Sequence, residues 1–374
     1  MKVGIVGFPQ VGKTTIFDLL TGGHTASSPG GKGEAHVGVA RVPDAGLKHL
    51  AQIFRPEKVT PAIVEYVDLP GLAPGEESAA SAQKARDLST YLKNLKNVDA
   101  LVHVVRAFED AAIAHVEGSI DPARDIALFE LEMILSDLTI VEKRLERLER
   151  DTKKMKNVEL EAEQAVLLRF KEALEREMPL RSLELTQDEQ RRVKGFTFLS
   201  AKPLLLVLNL GDSDAGKIPR AAREFNLEEQ ASMRCVALTA VCGKIEAEIA
   251  SLSDEDARAF MEDLGLSGSG LARIIENSYA LLGLISFYTA GDPEVRAWTI
   301  PRHTSAQKAA GVIHTDFEKG FIKAEVVSFK DMIEFGSFQA AKSKGVLRLE
   351  GKDYIVREGD VILFRFSPAA GSRQ

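Results

Sequence analysis

Near its N-terminus the chain holds Gly7-Phe8-Pro9-Gln10-Val11-Gly12-Lys13-Thr14, which fits G-x-x-x-x-G-K-[ST]. These residue types at this spacing suit one task, the gripping of phosphate. Gly7 and Gly12 let backbone N–H groups curl around an anion at a helix N-terminus, where the helix dipole favours negative charge. Lys13 supplies a point charge to β- and γ-phosphates, and the Thr14 hydroxyl is of the type that ligates Mg2+. Thr15 follows at the helix start, so Phe8 to Thr15 form the first part of a candidate binding site.

Asp68-Leu69-Pro70-Gly71 has the D-x-x-G form at the tip of the apolar run Ala62–Val67. Asp68 would hold Mg2+ through water, with Thr14 as the other metal ligand, and the Gly71 N–H would sense the γ-phosphate. Lys13 and Gly71 are the candidate catalytic groups. Asn209-Leu210-Gly211-Asp212 closes another apolar run, Pro203–Leu208. P-loop GTPases read the base there with N-K-x-D; here Leu210 stands in the Lys position. Thr239 and Ala240 sit where an S-A turn would back the base. Leu72 replaces the water-positioning Gln that often follows D-x-x-G, so intrinsic hydrolysis is expected to be slow, below about 1 s⁻¹.

These groups need an α/β scaffold. Val3-Gly4-Ile5-Val6 reads as a buried parallel strand, and Thr15 to Leu20 as the helix after it. Further strands are expected at Val37–Val42, Ala62–Val67, Asp99–Val105, Pro203–Leu208 and Met233–Thr239. His103, inside the third of these, reads as a packed core residue. Residues 22–36 and Pro74–Lys84 are low in apolar side chains and fall where two nucleotide-dependent switches would lie. From Pro122, the residues Leu128, Leu131, Leu135, Leu138, Val141, Leu145 and Leu148 recur at spacings of three and four. That pattern predicts a long amphipathic helix. A second helix over Val158–Met178 would complete an antiparallel hairpin, and a short helix near Asp188–Lys194 would close the insertion. The connection from Lys143 to Lys156 is rich in Lys and Arg; it suits either a solvated face or a basic tip meeting RNA phosphate. After Leu284 the pattern turns to short strands such as Val295–Ile300, Lys352–Val356 and Asp360–Phe366, an α+β module.

The expected division is thus 1–121 with 199–282 for the nucleotide domain, 122–198 for the helical insertion, and 283–367 for the C-terminal domain. At 374 residues, 45% apolar and 28% charged, the chain has the composition of a soluble globular protein, and a net charge of −7 argues against broad DNA binding. No run approaches the roughly 18 apolar residues of a membrane span. The first strand begins almost at Met1, so no signal peptide is expected, and two cysteines make no disulfide framework. A cytoplasmic location is the expectation. Cys235 falls in a predicted strand as an inert core residue, whereas Cys242 precedes a helix start, where a thiolate would be favoured.

The chain resembles the YchF group of Obg-type P-loop NTPases over nearly its whole length. The resemblance rests on Gly7–Thr15, Val37–Asp44, Val64–Leu72, Val102–Asp110, His115–Pro122 and Gly243–Glu248. It is closest in the C-terminal module, at Tyr288–Gly291, Glu294–Thr299, Gly311–Gly320 and Arg348–Tyr354. It implies a mixed, mostly parallel nucleotide-domain sheet, the inserted hairpin and a ubiquitin-like TGS domain around a central groove. It also implies slow ATP or GTP hydrolysis with Mg2+, and association with the ribosome through rRNA or ribosomal protein. Several members prefer ATP, alongside an N-x-x-E motif; Asp212 stands in the Glu position here and leaves base choice open. Gln10 replaces an Asn that helps hold an activating K+, so potassium dependence is open too. The family's first-switch Thr is missing near Lys32 and Gly33, with Thr25, Ser27 or Ser28 as substitutes. The alternatives to this reading are a stress-regulatory protein- or ligand-binding ATPase and a small-molecule kinase.

Overall fold

The computed structural model describes residues 1–23, 36–69, 94–113, 115, 117–152, 157–266 and 268–367. It divides into two compact units, Met1–Val39 with Glu65–Leu281 and Ala40–Val64 with Leu282–Gln374.

The first unit is built on a six-stranded sheet in the order β2-β4-β1-β5-β6-β7. The strands are β1 (Lys2–Val6), β2 (His36–Arg41), β4 (Ile63–Asp68), β5 (Ala100–Ala107), β6 (Leu204–Leu210) and β7 (Val236–Val241). Pairings of β1 with β4 and β5, of β5 with β6, and of β6 with β7 are all parallel. Every residue of β5 and β6 is buried, which explains why their sequences are apolar except at His103, Arg106 and Asn209: both faces are covered. His103 lies within β5, with its ring 4.3 Å from that of Phe129. Burial pushes its imidazole pKa down to about 3, so it is a neutral core group. Parallel pairing places the C-terminal ends of β1, β4, β5, β6 and β7 along one edge, where an α/β sheet binds ligands.

The helical insertion is anchored in this unit. The helix Pro122–Thr152 packs against the helix Val158–Glu175; Glu142 meets Lys171 and Arg144 meets Glu163, so the two run antiparallel. Their seam buries Val141, Leu145 and Leu148 against Val166, Leu167 and Phe170. The leucine seam expected from spacing holds only in that outer half. Towards the sheet the buried face is Ile126, Phe129 and Met133, and Leu135 is exposed, because the first turns pack on the sheet core rather than on the partner helix. Asp137 occupies the junction and accepts from the Leu199 N–H, the Ser200 N–H and the Ser200 hydroxyl at 2.7–2.9 Å. Burial outweighs these donors and holds its carboxyl above the usual carboxylate range. The short helix is Gln187–Val193, opened by a reciprocal Thr186–Glu189 capping box.

The second unit has its own sheet, in the order β11-β10-β12-β8-β9-β3. It comprises β3 (Lys58–Thr60), β8 (Leu284–Ala290), β9 (Glu294–Pro301), β10 (Phe321–Ser328), β11 (Arg348–Glu350) and β12 (Asp360–Phe366). One face packs on the helix Ala306–Ile313 through Phe287, Ile300, Ala310 and Val326. The other receives Leu47 and Leu50 of the helix Ala45–Phe54, beside Tyr288 and Met332. Residues 40–64, which the sequence reading keeps with the nucleotide domain, therefore belong to this unit. β3 pairs with β9, Lys58 opposite Glu294, and Asp44 both caps its helix and accepts from the Tyr288 hydroxyl at 2.9 Å. The strand expected at Lys352–Val356 is absent: a turn closes from the Tyr354 N–H to the Gly351 carbonyl, and only Ile355 makes a single bridge, to Ser305. The pairing strand is Arg348–Glu350. Among the described residues no helix is long and apolar enough to cross a membrane.

Candidate nucleotide-binding site

The loop between β1 and the helix Lys13–Thr21 is shaped by backbone angles that side chains resist. Gly7 has φ +141, and a Cβ there would lie 2.3 Å from the Val104 carbonyl oxygen. Gly12 has φ +94 as the residue that opens the helix, and its Cβ would lie 2.4 Å from Asn209 Nδ2. Gln10 takes a positive φ of 62 without being glycine. The loop turns Phe8 and Val11 inward, so those two offer only backbone to a ligand, while Gln10, Thr14 and Thr15 face outward. No acidic side chain and no side-chain cap compete for the first N–H groups of the helix.

Lys13 is buried and its Nζ donates to the Phe8 carbonyl at 2.7 Å. Burial pulls its pKa down to about 8, against the pull of Asp68. Asp68 ends β4 beside it. The Thr14 hydroxyl donates to Asp68 Oδ2 at 3.1 Å, and the second carboxylate oxygen is buried without a partner among the described residues. Burial raises the Asp68 carboxyl above its ordinary range, with the Thr14 bond opposing. A hydroxyl beside an unsatisfied carboxylate oxygen is an arrangement a hard divalent cation completes.

Asn209, the last residue but one of β6, ties the site together. Its Nδ2 donates to the Val11 carbonyl at 2.9 Å, and its Oδ1 accepts from the Gly243 N–H at 3.1 Å. The P-loop is thereby fixed to the segment after β7. The two bonds use one N–H and one lone pair of the amide, and through them Asn209 holds the two loops together. Asp212 begins the 3-10 helix Asp212–Arg220, and its Oδ1 accepts from the Cys242 thiol at 3.1 Å. Between these elements opens a cleft of about 910 Å3. Gln10, Gly12, Thr15, Asn209, Leu210 and Asp212 all line it.

Thr239 and Ala240 do not. They lie inside β7, which runs on to Val241, and they line a different cleft with Arg273 and Asn277. The segment that faces the nucleotide cleft is Gly243-Lys244, a few residues later at the start of the helix Gly243–Ser251. Cys242 is buried, and burial pushes its thiol up to about 11, which removes the thiolate expected at a helix start. Cys235 is exposed rather than core, at a positive-φ position (φ 56) just before β7. Gly71, Leu72 and the first-switch positions Thr25, Ser27, Ser28, Lys32 and Gly33 lie outside the described residues, as do Pro74–Lys84.

One wall of the cleft carried no motif. Phe108, Glu109 and Asp110 follow β5, and Arg106 organises them: its Nε donates to the Phe108 carbonyl and Nη2 to the Ile113 carbonyl, both at 3.1 Å. The guanidinium also lies 4.6 Å over the Phe108 ring. Further on, the Glu117 N–H donates to His115 Nδ1, which leaves the ring proton on Nε2, 3.0 Å from Asp125 Oδ2. An arginine inside an apolar strand was the available signal for this wall.

Comparison with known proteins agrees with this geometry. Residues 2–168 match the family model of the 50S ribosome-binding GTPase, and residues 284–367 match that of the YchF GTPase C-terminal region, described as a protein of unknown function. The "Ribosome-binding ATPase YchF" of Bacillus subtilis is 41% identical over 370 residues, spanning 98% of this chain and 99% of the relative. That of Haemophilus ducreyi is 43% identical over 369 residues, with the same shares. Among solved structures, the Schizosaccharomyces pombe YchF GTPase superposes with a TM-score of 0.82 at 31% identity, covering 98% of this chain and 97% of that one.

Proposed function

Because the chain belongs to the YchF family, we propose that it is a nucleotide-gated NTP phosphohydrolase that acts on the ribosome in the cytoplasm. The observation that carries this is the Asn209 tie, which holds the phosphate loop and the base-side segment in one rigid frame.

Gly12 and the helix behind it present backbone N–H groups to the β-phosphate. Lys13 leaves the Phe8 carbonyl for the β- and γ-phosphate oxygens, and their negative charge reverses the depression of its pKa. Thr14 and Asp68 would hold Mg2+, which when bound neutralises charge on the phosphates. Leu72 offers no hydrogen bond to a water nucleophile, so the chain alone turns over slowly. On the base side Asp212 acts without a neighbouring Lys, and the substrate of the proposed reaction is ATP, GTP or both. The switches Gly22–His36 and Pro74–Lys84, the helical insertion 122–198 as a domain of its own, and a TGS assignment of the C-terminal part belong to the same proposal. The basic connection between the two long helices supplies an RNA-facing surface.

Sedimentation with ribosomes tests it. The chain is expected to pellet with ribosomes when loaded with a non-hydrolysable ATP or GTP analogue, and to be released when nucleotide-free. Absence from the ribosome pellet in every nucleotide state at moderate salt would overturn the ribosomal part of the proposal.

A further inference from the structure

A second cleft, of about 450 Å3, lies along β7, the outermost strand of the first unit's sheet. That volume is within the roughly 300–1,000 Å3 of small-molecule sites. Its polar lining is basic: Arg220, Arg223 and Arg273 against Glu228 alone, in a chain of net charge −7. Arg273 is set in place, donating from Nη1 to the Gly268 carbonyl at 2.9 Å and from Nη2 to the Ala240 carbonyl at 3.1 Å. Those two bonds leave three of its five N–H groups for a ligand. Arg220 pairs with Glu224 at 2.9 Å, while the exposed Arg223 side chain makes no hydrogen bond or ion pair among the described residues. Thr239 is 7% exposed, and neither its hydroxyl nor the Asn277 amide makes a side-chain hydrogen bond among the described residues. Ile218, Leu238 and Leu266 add an apolar wall.

We propose that this cleft is a second binding site, taking a small phosphate ester with an apolar body. The arginines and the unused Thr239 and Asn277 donors suit a dianionic phosphoryl group, which has three acceptor oxygens. The concave shape and the apolar wall suit a compact organic group better than a polynucleotide backbone, which runs over open surface. The segment Asp212–Arg220 separates the two clefts: Asp212, Ser213, Asp214 and Lys217 line the nucleotide cleft, and Ile218, Pro219 and Arg220 line this one.

The test is a calorimetric titration of phenyl phosphate into the full chain, with Mg2+ and the first site saturated by a non-hydrolysable ATP analogue. Saturation of the first site is checked beforehand with a fluorescent analogue, so failure of nucleotide binding is seen separately. One further equivalent of phenyl phosphate is expected to bind, and phenol is expected not to. Arg223→Ala, at an exposed position whose side chain has no partner among the described residues, is expected to weaken phenyl phosphate at least about tenfold, the scale of one charge-assisted contact. Arg223→Lys should lie between the two. Absence of saturable binding, equal affinity in Arg223→Ala, or equal binding of phenol would overturn the proposal. So would binding of a short oligouridylate that depends on Arg223 without uptake of phenyl phosphate, since the arginines would then be an RNA contact.

Discussion

Gly12→Ala is expected to cost about two orders of magnitude in nucleotide affinity, the equivalent of about 3 kcal/mol. Two effects add. A non-glycine residue at φ +94 is strained by about 1–3 kcal/mol. The new methyl also stands 2.4 Å from Asn209 Nδ2, so the amide must leave. Its departure breaks the bonds to the Val11 carbonyl and the Gly243 N–H together, and each buried group left unpaired costs about 1–3 kcal/mol. The P-loop then loses its connection to the base side of the cleft. Titration with a fluorescent ATP analogue reads the loss. The two positions should be strongly non-additive: once Asn209→Ala has removed the obstructing amide, adding Gly12→Ala should cost only the backbone strain. Unchanged affinity in Gly12→Ala would mean that phosphate does not sit on this loop.

Asp68→Asn is expected to lower Mg2+-dependent hydrolysis at least about 100-fold, because the change removes the charge that the metal requires while keeping the shape. The amide oxygen still accepts from the Thr14 hydroxyl, so the loop stays in place. Nucleotide affinity measured in a chelator should match that of the unchanged chain, and adding chelator should abolish hydrolysis only in the latter. The substitution should not destabilise the nucleotide-free fold. A carboxyl whose second oxygen is buried without a partner among the described residues is a cost to folding, and a neutral amide reduces it. A thermal midpoint that stays level or rises, together with lost hydrolysis, is the expected combination. Full activity in Asp68→Asn would remove Asp68 from the metal site.

The phosphate end was legible because its signals are local. Glycines at set spacing, a Lys-Thr pair and a buried strand all fall within a few residues, and the structure places them as their conformational preferences require. The mostly apolar runs of β5 and β6 were legible for the same reason. The base end was less so. Thr239 and Ala240 missed the cleft because β7 continues to Val241, and the end of a strand is set by pairing with β6 rather than by its own residues. Residues 40–64 were assigned to the wrong unit because nothing local announces that Lys58 pairs with Glu294. The leucine spacing of the long helix located its outer seam but not its root, where contact with the sheet and three donors to Asp137 decide which face is buried. The Cys242 thiol was misjudged because a helix start favours thiolate only where water reaches it.

The most direct measurement is a titration of the nucleotide-free chain with fluorescent ATP and GTP in Mg2+, beside Lys13→Ala. Saturation at one nucleotide per chain, with binding at least about tenfold weaker in Lys13→Ala, is the predicted result. Equal binding by both chains, or binding by neither, would contradict the nucleotide-gated account.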